Sequence, residues 1–260
     1  MIIKVCGMRE VENIREVEAL GIDLMGFIFW PKSKRFVAEP PAYLPTQAKR
    51  VGVFVDAAAE EILRIADSYA LDFIQLHGSE SPAFIEALSR HITPRPYGDR
   101  LRIIKAFNIA TADDFAQAKA YEGLADYFLF DTKATLPGGS GQQFDWSVLG
   151  AYDSTTPFLL SGGIGPNDAD RIRQAFTNNL SPLHPRLLGI DLNSRFECPV
   201  RFRDSVSRRG NPDASMHPNT SIALVLRKGC RWENPRYNRS PLQRQNAPRH
   251  ARCSLFLPIT

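Results

Sequence analysis

The 260-residue sequence lacks several features that would indicate other classes of protein. No apolar run approaches the roughly 18 to 20 residues that cross a membrane. The N-terminus, MIIKVCGMRE, has neither a basic lead nor a long apolar run, so we expect no secretory signal peptide. The four cysteines, Cys6, Cys198, Cys230 and Cys253, show no metal-binding spacing. These absences favour a cytoplasmic protein without a structural metal.

Charge is distributed unevenly along the chain. The net charge is +4, yet residues 198–260 carry 11 Arg and one Lys against two Asp and one Glu, which gives +9 there and leaves −5 for residues 1–197. The C-terminal segment also contains seven prolines and has no helical or strand period beyond the short run SIALVL. This composition is typical of disorder. We therefore predict a folded domain over residues 1–197 and a basic, Pro/Arg-rich, disordered tail over residues 198–260.

Strand-like apolar runs alternate with amphipathic helical patterns throughout residues 1–197. The predicted strands end near Cys6, Phe29, Val55, Leu76, Ala106, Asp131, Ser161 and Asp191, at intervals of 21 to 30 residues. Helical connections of this length require parallel pairing with right-handed crossovers. Eight such units predict an α/β fold, a closed (β/α)₈ TIM barrel. A doubly wound open sheet is the alternative, but no glycine fingerprint follows the first strand.

For two of the helical segments the sequence predicts where the helix begins or ends. Residues 43–48 are predicted to form a short helix before the third strand. The segment after the fifth strand is predicted to start with a capping box made by Thr111 and Asp114 and to stop at Gly123.

The C-terminal strand ends are where the active site of such a barrel lies. Cys6 ends the first strand, and Arg9 is close enough in sequence to favour its thiolate. Asp131 follows the apolar strand Tyr127–Phe130, where desolvation favours a protonated acid. A glycine-rich loop leads from it to Asp145, the predicted cap of the next helix, and could close over the acid. By themselves a turn Asp and a packing Cys are ordinary features, but a base and an acid at one rim fit proton-transfer chemistry.

The ends of strands seven and eight carry the pattern of a phosphate site. Backbone N–H groups at Gly162 and Gly163 can approach an anion, and a helix starting near Asn193 or Ser194 would add its dipole. Plain tight turns are the alternative interpretation.

Several motifs together resemble the phosphoribosylanthranilate isomerase family of tryptophan biosynthesis, from Met1 to about Glu197. These motifs are KVCGMR, PKSKR, QLHG, KAF, FDTK with GGSGQQFDW, LSGGI and GIDLNSRFE. The resemblance implies a cofactor-free Amadori rearrangement of N-(5′-phosphoribosyl)anthranilate to 1-(o-carboxyphenylamino)-1-deoxyribulose 5-phosphate.

The resemblance also implies roles for individual residues. Asp131 would protonate the furanose ring oxygen, and Cys6 would then remove the C2′ proton. Arg35 matches an arginine that faces the anthranilate carboxylate. The residues that lie where the family holds the substrate phosphate are Gly162, Gly163, Asp191, Asn193 and Ser194. His77, in the QLHG motif, is expected to have a structural role.

The family pattern stops after Glu197. A proline–glycine turn, a Lys–Asp pair and an amphipathic final helix are expected there, and the basic tail stands in their place. We hypothesise that a reading-frame shift replaced the final helix. An alternative is a basic arm that binds nucleic acid non-specifically, with Trp232, Tyr237 and Phe256 stacking on bases.

Other phosphate-binding barrels remain as further alternatives. They synthesise indoleglycerol phosphate or isomerise a histidine precursor, and the second of these would require a carboxylate where this chain has Cys6. We expect a small-molecule phosphosugar–anthranilate substrate, no cofactor, and neither a membrane nor a nucleic-acid partner. The oligomeric state is left open.

Overall fold

A computed structural model describes residues 1–92, 100–132, 146–177 and 186–196. Eight parallel strands close into a barrel in sequence order, because the first strand pairs with both the second and the eighth. The strands are β1 (Ile2–Cys6), β2 (Leu24–Ile28), β3 (Lys49–Phe54), β4 (Phe73–Leu76), β5 (Arg102–Ile109), β6 (Tyr127–Thr132), β7 (Phe158–Ser161) and β8 (Leu187–Leu192). The predicted TIM barrel is confirmed, and the open sheet is excluded.

Helical segments connect most of the strands. The α-helices are α1 (Val11–Ala19), α2 (Ala59–Ser68), α3 (Pro82–Arg90) and α4 (Ala169–Thr177). The 3₁₀ helices are Ala112–Tyr121, Trp146–Ala151, Pro166–Asp168 and Ser194–Phe196. Before the first of these, the Asp114 carboxylate accepts from the Thr111 N–H at 2.7 Å, as the predicted capping box requires, and Gly123 at its end has a φ of +76°.

The predicted short helix over residues 43–48 is wrong. This segment is irregular because Glu18 of α1 binds its backbone. The Glu18 carboxylate accepts from the N–H groups of Thr46, Gln47 and Ala48 at 2.5 to 3.3 Å. It also accepts from the Tyr43 hydroxyl at 2.5 Å. A side chain distant in sequence therefore takes the N–H groups that a helical turn would use.

Two apolar layers cover the strands on both faces. An inner cluster fills the barrel, and it consists of Leu24, Val51, Phe73, Ile104, Ala106, Leu129 and Leu159. A larger outer cluster lies between the strands and the surrounding helices. In β6 Leu129 belongs to the inner cluster and Phe128 and Phe130 to the outer one, and all three are 0% exposed. Burial on both faces explains why this strand reads as an uninterrupted apolar run.

The predicted tail, residues 198–260, and the glycine-rich loop with Asp145 lie outside the described residues. The prediction that a normal final helix is missing therefore stays a prediction. Within the described ranges, no helix is both long enough and apolar enough to span a membrane.

Candidate active site

Polar residues from β6, β7 and β8 meet at the C-terminal end of the barrel and line one cavity of about 130 Å³. Its lining residues are Asp131, Ser161, Gly162, Gly163, Ile164, Asp191, Asn193 and Arg195. Five of the predicted site residues are among them. Gly162 and Gly163 have φ values of +96° and +65°, a conformation that favours glycine and leaves the backbone open to a ligand.

Asp131 is positioned by the aromatic residue that precedes it. The ring of Phe130 packs against Tyr152 and Phe158, with ring centroids 5.0 and 4.7 Å away. Pairs of this kind contribute about 0.5–1.5 kcal/mol beyond their area. The Asp131 side chain itself is 28% exposed, so the burial expected at this strand end is partial. Its carboxylate faces the cavity from a rigid strand.

His77 lies beside this acid, which the sequence did not suggest. Its Nε2 is 3.8 Å from Asp131 Oδ2, and its Nδ1 is 2.9 Å from the amide nitrogen of Gln75. The two ring nitrogens of His77 therefore face the Gln75 amide group and the Asp131 carboxyl group.

Cys6 ends β1 and is only 8% exposed. Burial raises the pKa of its thiol, and the Lys4 ammonium group opposes this rise. Arg9, the cation expected to act here, lies at the surface with its side chain 45% exposed, and it donates to the Lys34 carbonyl at 2.9 Å. The expectation for Arg9 is therefore wrong, because the chain after the strand turns outward while Lys4 shares the inner face with Cys6.

Lys4 and Asp191 form a buried ion pair beneath the cavity. Lys4 Nζ lies 2.9 Å from Asp191 Oδ1, and the two side chains are 0% and 5% exposed. Burial raises the pKa of Asp191, whereas Lys4 and then His77 lower it and Asp131 raises it. The interactions of Asp191 with both Cys6 and Asp131 place the predicted base and acid at the same end of the barrel.

Arg35 crosses the top of β1. A Cβ built on Gly7 would lie 2.4 Å from Arg35 Cδ and 3.5 Å from Asn193 Oδ1, so these two side chains converge over this glycine. Gly7 has a φ of +85°, which also favours glycine. Asn193 Oδ1 and Gln75 Oε1 are the two buried side-chain atoms without a hydrogen-bond partner in the part of the chain that the structure describes. A buried acceptor at the cavity wall is suited to a ligand hydroxyl or N–H.

Comparisons with known proteins agree with this geometry. The family model of N-(5′-phosphoribosyl)anthranilate (PRA) isomerase matches residues 3–199. The chain belongs to this family. A protein of Parabacteroides distasonis with the name N-(5′-phosphoribosyl)anthranilate isomerase is 47% identical over 224 residues, which cover 84% of this chain and 95% of the relative. A second relative with that name, from Phocaeicola vulgatus, is 46% identical over 207 residues, covering 80% and 94%.

A solved structure gives the same result for the fold. The crystal structure of phosphoribosyl anthranilate isomerase from Thermotoga maritima superposes with a TM-score of 0.63 at 26% identity, covering 88% of this chain and 98% of that chain. The resemblance to the PRA isomerase family seen in the motifs is thus confirmed.

The sequence motifs of this PRA isomerase family member did not indicate two further functional candidates, Lys4 and Arg195. Both lie in motifs of the family, Lys4 in KVCGMR and Arg195 in GIDLNSRFE. Arg195 lines the cavity, and its Nη2 lies 3.9 Å from a Cβ built on Gly163. Proximity to the glycine loop after β7 could not be seen in the sequence, because it depends on the path of the chain after β8.

The remaining predicted site residue is Ser194. It begins the three-residue 3₁₀ helix Ser194–Phe196, and its side chain lies outside the described part of the structure. The expected helix dipole at this point is not supported in the described residues, since a single 3₁₀ turn aligns few peptide units.

Proposed function

We propose that this chain catalyses the isomerisation of N-(5′-phosphoribosyl)anthranilate to 1-(o-carboxyphenylamino)-1-deoxyribulose 5-phosphate, a step of tryptophan biosynthesis. Membership of the PRA isomerase family over residues 3–199 carries this conclusion. The arrangement of Cys6 and Asp131 at one end of a single barrel supports it further.

Asp131 acts first, as a general acid. It donates a proton to the furanose ring oxygen, the C1′–O bond breaks, and the anthranilate nitrogen supplies the electron pair that forms the C1′=N bond. The exposed part of the carboxyl group faces the cavity, where a substrate can reach it. The imidazole of His77, with Nε2 3.8 Å from Asp131 Oδ2, then faces the carboxylate.

Cys6 acts second, as a general base. Its thiolate removes the C2′ proton, the C1′=N bond takes up an electron pair at nitrogen, and an enolamine forms. Protonation at C1′ and loss of the hydroxyl proton at C2′ then give the ketone. Protons and electron pairs balance within substrate, thiol and carboxyl group, so the proposed reaction requires no cofactor.

The substrate phosphate is held by the glycine loop after β7. Backbone N–H groups of Gly162 and Gly163 donate to it, together with Asn193 and Ser194, and the guanidinium of Arg195 neutralises part of its charge. Asp191 is an anion in an ion pair and cannot donate to phosphate, so we assign it to a ribose hydroxyl. Arg35 faces the anthranilate carboxylate.

We place the reaction in the cytoplasm, where the reducing environment keeps the Cys6 thiol free. This location and the substrate contacts above are proposals that rest on the sequence and on the position of each residue.

The test uses the purified full chain and freshly made N-(5′-phosphoribosyl)anthranilate. We expect the substrate fluorescence to fall at a rate proportional to protein concentration, with a product of unchanged mass, since an isomerisation adds and removes no atoms. Spontaneous hydrolysis, which releases free anthranilate, is subtracted with a blank lacking protein. A rate equal to the blank at every protein concentration, or anthranilate as the product, would contradict the proposal.

A further inference from the structure

Lys4 is a fully buried cation on the inner face of the barrel, and the chemistry described above does not use it. The side chain is 0% exposed, and its Nζ lies 2.9 Å from Asp191 Oδ1. The two residues are direct register partners between β1 and β8. Burying two charges is costly unless they are paired and have further polar neighbours. A third polar group next to the pair therefore bears on its role.

That third polar group is the thiol of Cys6. It lies two residues after Lys4 on the same strand, so both side chains point to the inner face, and the Lys4 ammonium group interacts electrostatically with its sulfur. The opposite partner of Cys6 on β2 is Gly26, where an added Cβ would lie 2.7 Å from the sulfur. The missing side chain at position 26 therefore leaves the space that the Cys6 sulfur occupies.

We propose that Lys4 is a positioning residue for the isomerisation: its ammonium group, held charged by Asp191, orients the Cys6 sulfur and stabilises the thiolate that abstracts the C2′ proton. This inference rests on the proposed function. It assigns a role to a buried lysine that touches the base and not the substrate.

The charged groups around Cys6 determine whether the pKa of its thiol rises or falls. The titratable and charged groups around this position are Lys4 on β1, Asp191 on β8, Asp131 on β6, His77 after β4 and Arg35 after β2. Burial raises the pKa of the Cys6 thiol, Lys4 opposes this rise, and Asp191 adds to it. Burial lowers the pKa of Lys4, but Asp191 and Cys6 outweigh burial, and the net pKa is raised. Lys4 therefore stays protonated during the proposed reaction and relays no proton. The C2′ proton is transferred to the Cys6 sulfur alone.

The test measures the pH dependence of Cys6 alkylation by iodoacetamide, with the Cys6 peptide quantified by mass spectrometry. In Lys4→Met the midpoint is expected to rise by at least about one pH unit, a ten-fold loss of thiolate at a given pH below the midpoint. In Lys4→Arg, which keeps a positive charge at this position, the midpoint is expected to stay closer to that of the original chain than in Lys4→Met. The low-pH limb of kcat/KM should move with the midpoint in Lys4→Met.

Lys105→Met is the matched control. Lys105 is 3% exposed and pairs with Glu80 at 2.9 Å, so the same kind of buried ion pair is broken. It alternates along β5 with Ile104 and Ala106 of the inner cluster, so it faces the helices and not Cys6. Its removal should lower the melting temperature and leave the Cys6 midpoint unchanged.

An unchanged midpoint in a folded Lys4→Met protein would overturn the proposal, as would an equal shift in Lys105→Met. If Lys4→Met does not fold, Lys4→Gln decides, because it removes the charge and keeps a polar group, and an unchanged midpoint overturns the proposal. Alkylation needs no turnover, so a failure here is distinct from a failure of the proposed isomerase activity.

Discussion

The side chain of Cys6 occupies space that a glycine on the neighbouring strand leaves open. In Gly26→Ala the new Cβ would lie 2.7 Å from the Cys6 sulfur and 3.2 Å from its Cα, so the thiol must move. A shift of this size can lower kcat by about 10²-fold, because proton abstraction depends on sub-ångström placement. We expect that loss in steady-state kinetics, with KM changed little.

Gly150→Ala is the control for this substitution, because nothing lies within 4 Å of a Cβ at position 150. It should retain the kcat of the original chain. Equal kcat values for Gly26→Ala and the original chain would show that the thiol position near Gly26 is irrelevant to turnover.

Arg195 supplies a cation at the glycine loop, and its removal should weaken phosphate binding. A charge-assisted hydrogen bond contributes roughly 1.5–3 kcal/mol, so Arg195→Gln should raise KM by about 10- to 100-fold. Competitive inhibition by inorganic phosphate should weaken in parallel. Arg173→Gln, an exposed arginine that pairs with Asp170 on α4, is the control and should leave both values unchanged. A KM for Arg195→Gln equal to that of the control would show that Arg195 does not bind the substrate phosphate.

At the level of elements, Glu18 fixes the segment that leads into β3. Burial alone would raise its pKa, but hydrogen bonds from Tyr43 and from the N–H groups of Gln47, Thr46 and Ala48 outweigh burial and lower it. We expect Glu18→Gln to reduce the free energy of unfolding by about 1 kcal/mol, a modest value because the group is partly solvated. The melting temperature should fall by about 2–4 °C.

The pH dependence of this effect has a defined sign. Because the pKa of Glu18 is lower in the folded state, its contribution is complete above the ordinary glutamate pKa and is lost as the pH falls through the lowered value. The original chain and Glu18→Gln should therefore converge in acid. Glu86→Gln, which removes an exposed carboxylate paired with Arg90, should change the melting temperature little at any pH. A difference that persists unchanged in acid would contradict this assignment.

The strands could be predicted because each is buried on both faces and each is followed by polar residues at a regular interval. The same pattern placed Cys6, Asp131 and Gly162 at one rim, since parallel strands in a barrel end on the same side. The role of Lys4 could not be predicted, because its partner Asp191 is 187 residues away and their contact depends on the register between the first and last strands. The irregular segment at residues 43–48 could not be predicted either, because it depends on hydrogen bonds to Glu18, a residue distant in the sequence.

For the whole molecule, the unusual feature is the change of composition after Glu197, close to residue 199 where the family match ends. We propose that residues 198–260 are an out-of-frame translation in place of a final helix. Uncovering several hundred Å² of barrel surface would cost on the order of 10 kcal/mol. Replacing residues 198–260 with a final helix of the family type should therefore raise both the melting temperature and the activity.

Equal activity and equal melting temperature in the two proteins would refute this proposal. The nucleotide sequence gives an independent check, since a family-type helix should be encoded in another frame. The alternative, a nucleic-acid-binding arm, predicts salt-dependent binding that is lost when residues 198–260 are deleted.

The most direct test of the central claim compares kcat for the original chain, Cys6→Ser and Asp131→Asn on N-(5′-phosphoribosyl)anthranilate, with Cys230→Ser and Asp170→Asn as controls. General base and general acid each contribute about 10²- to 10⁴-fold, so each of the two site variants should lose kcat by that amount while the controls retain it. If either site variant kept more than about a tenth of the original kcat, Cys6 and Asp131 would not be the base and acid of this reaction.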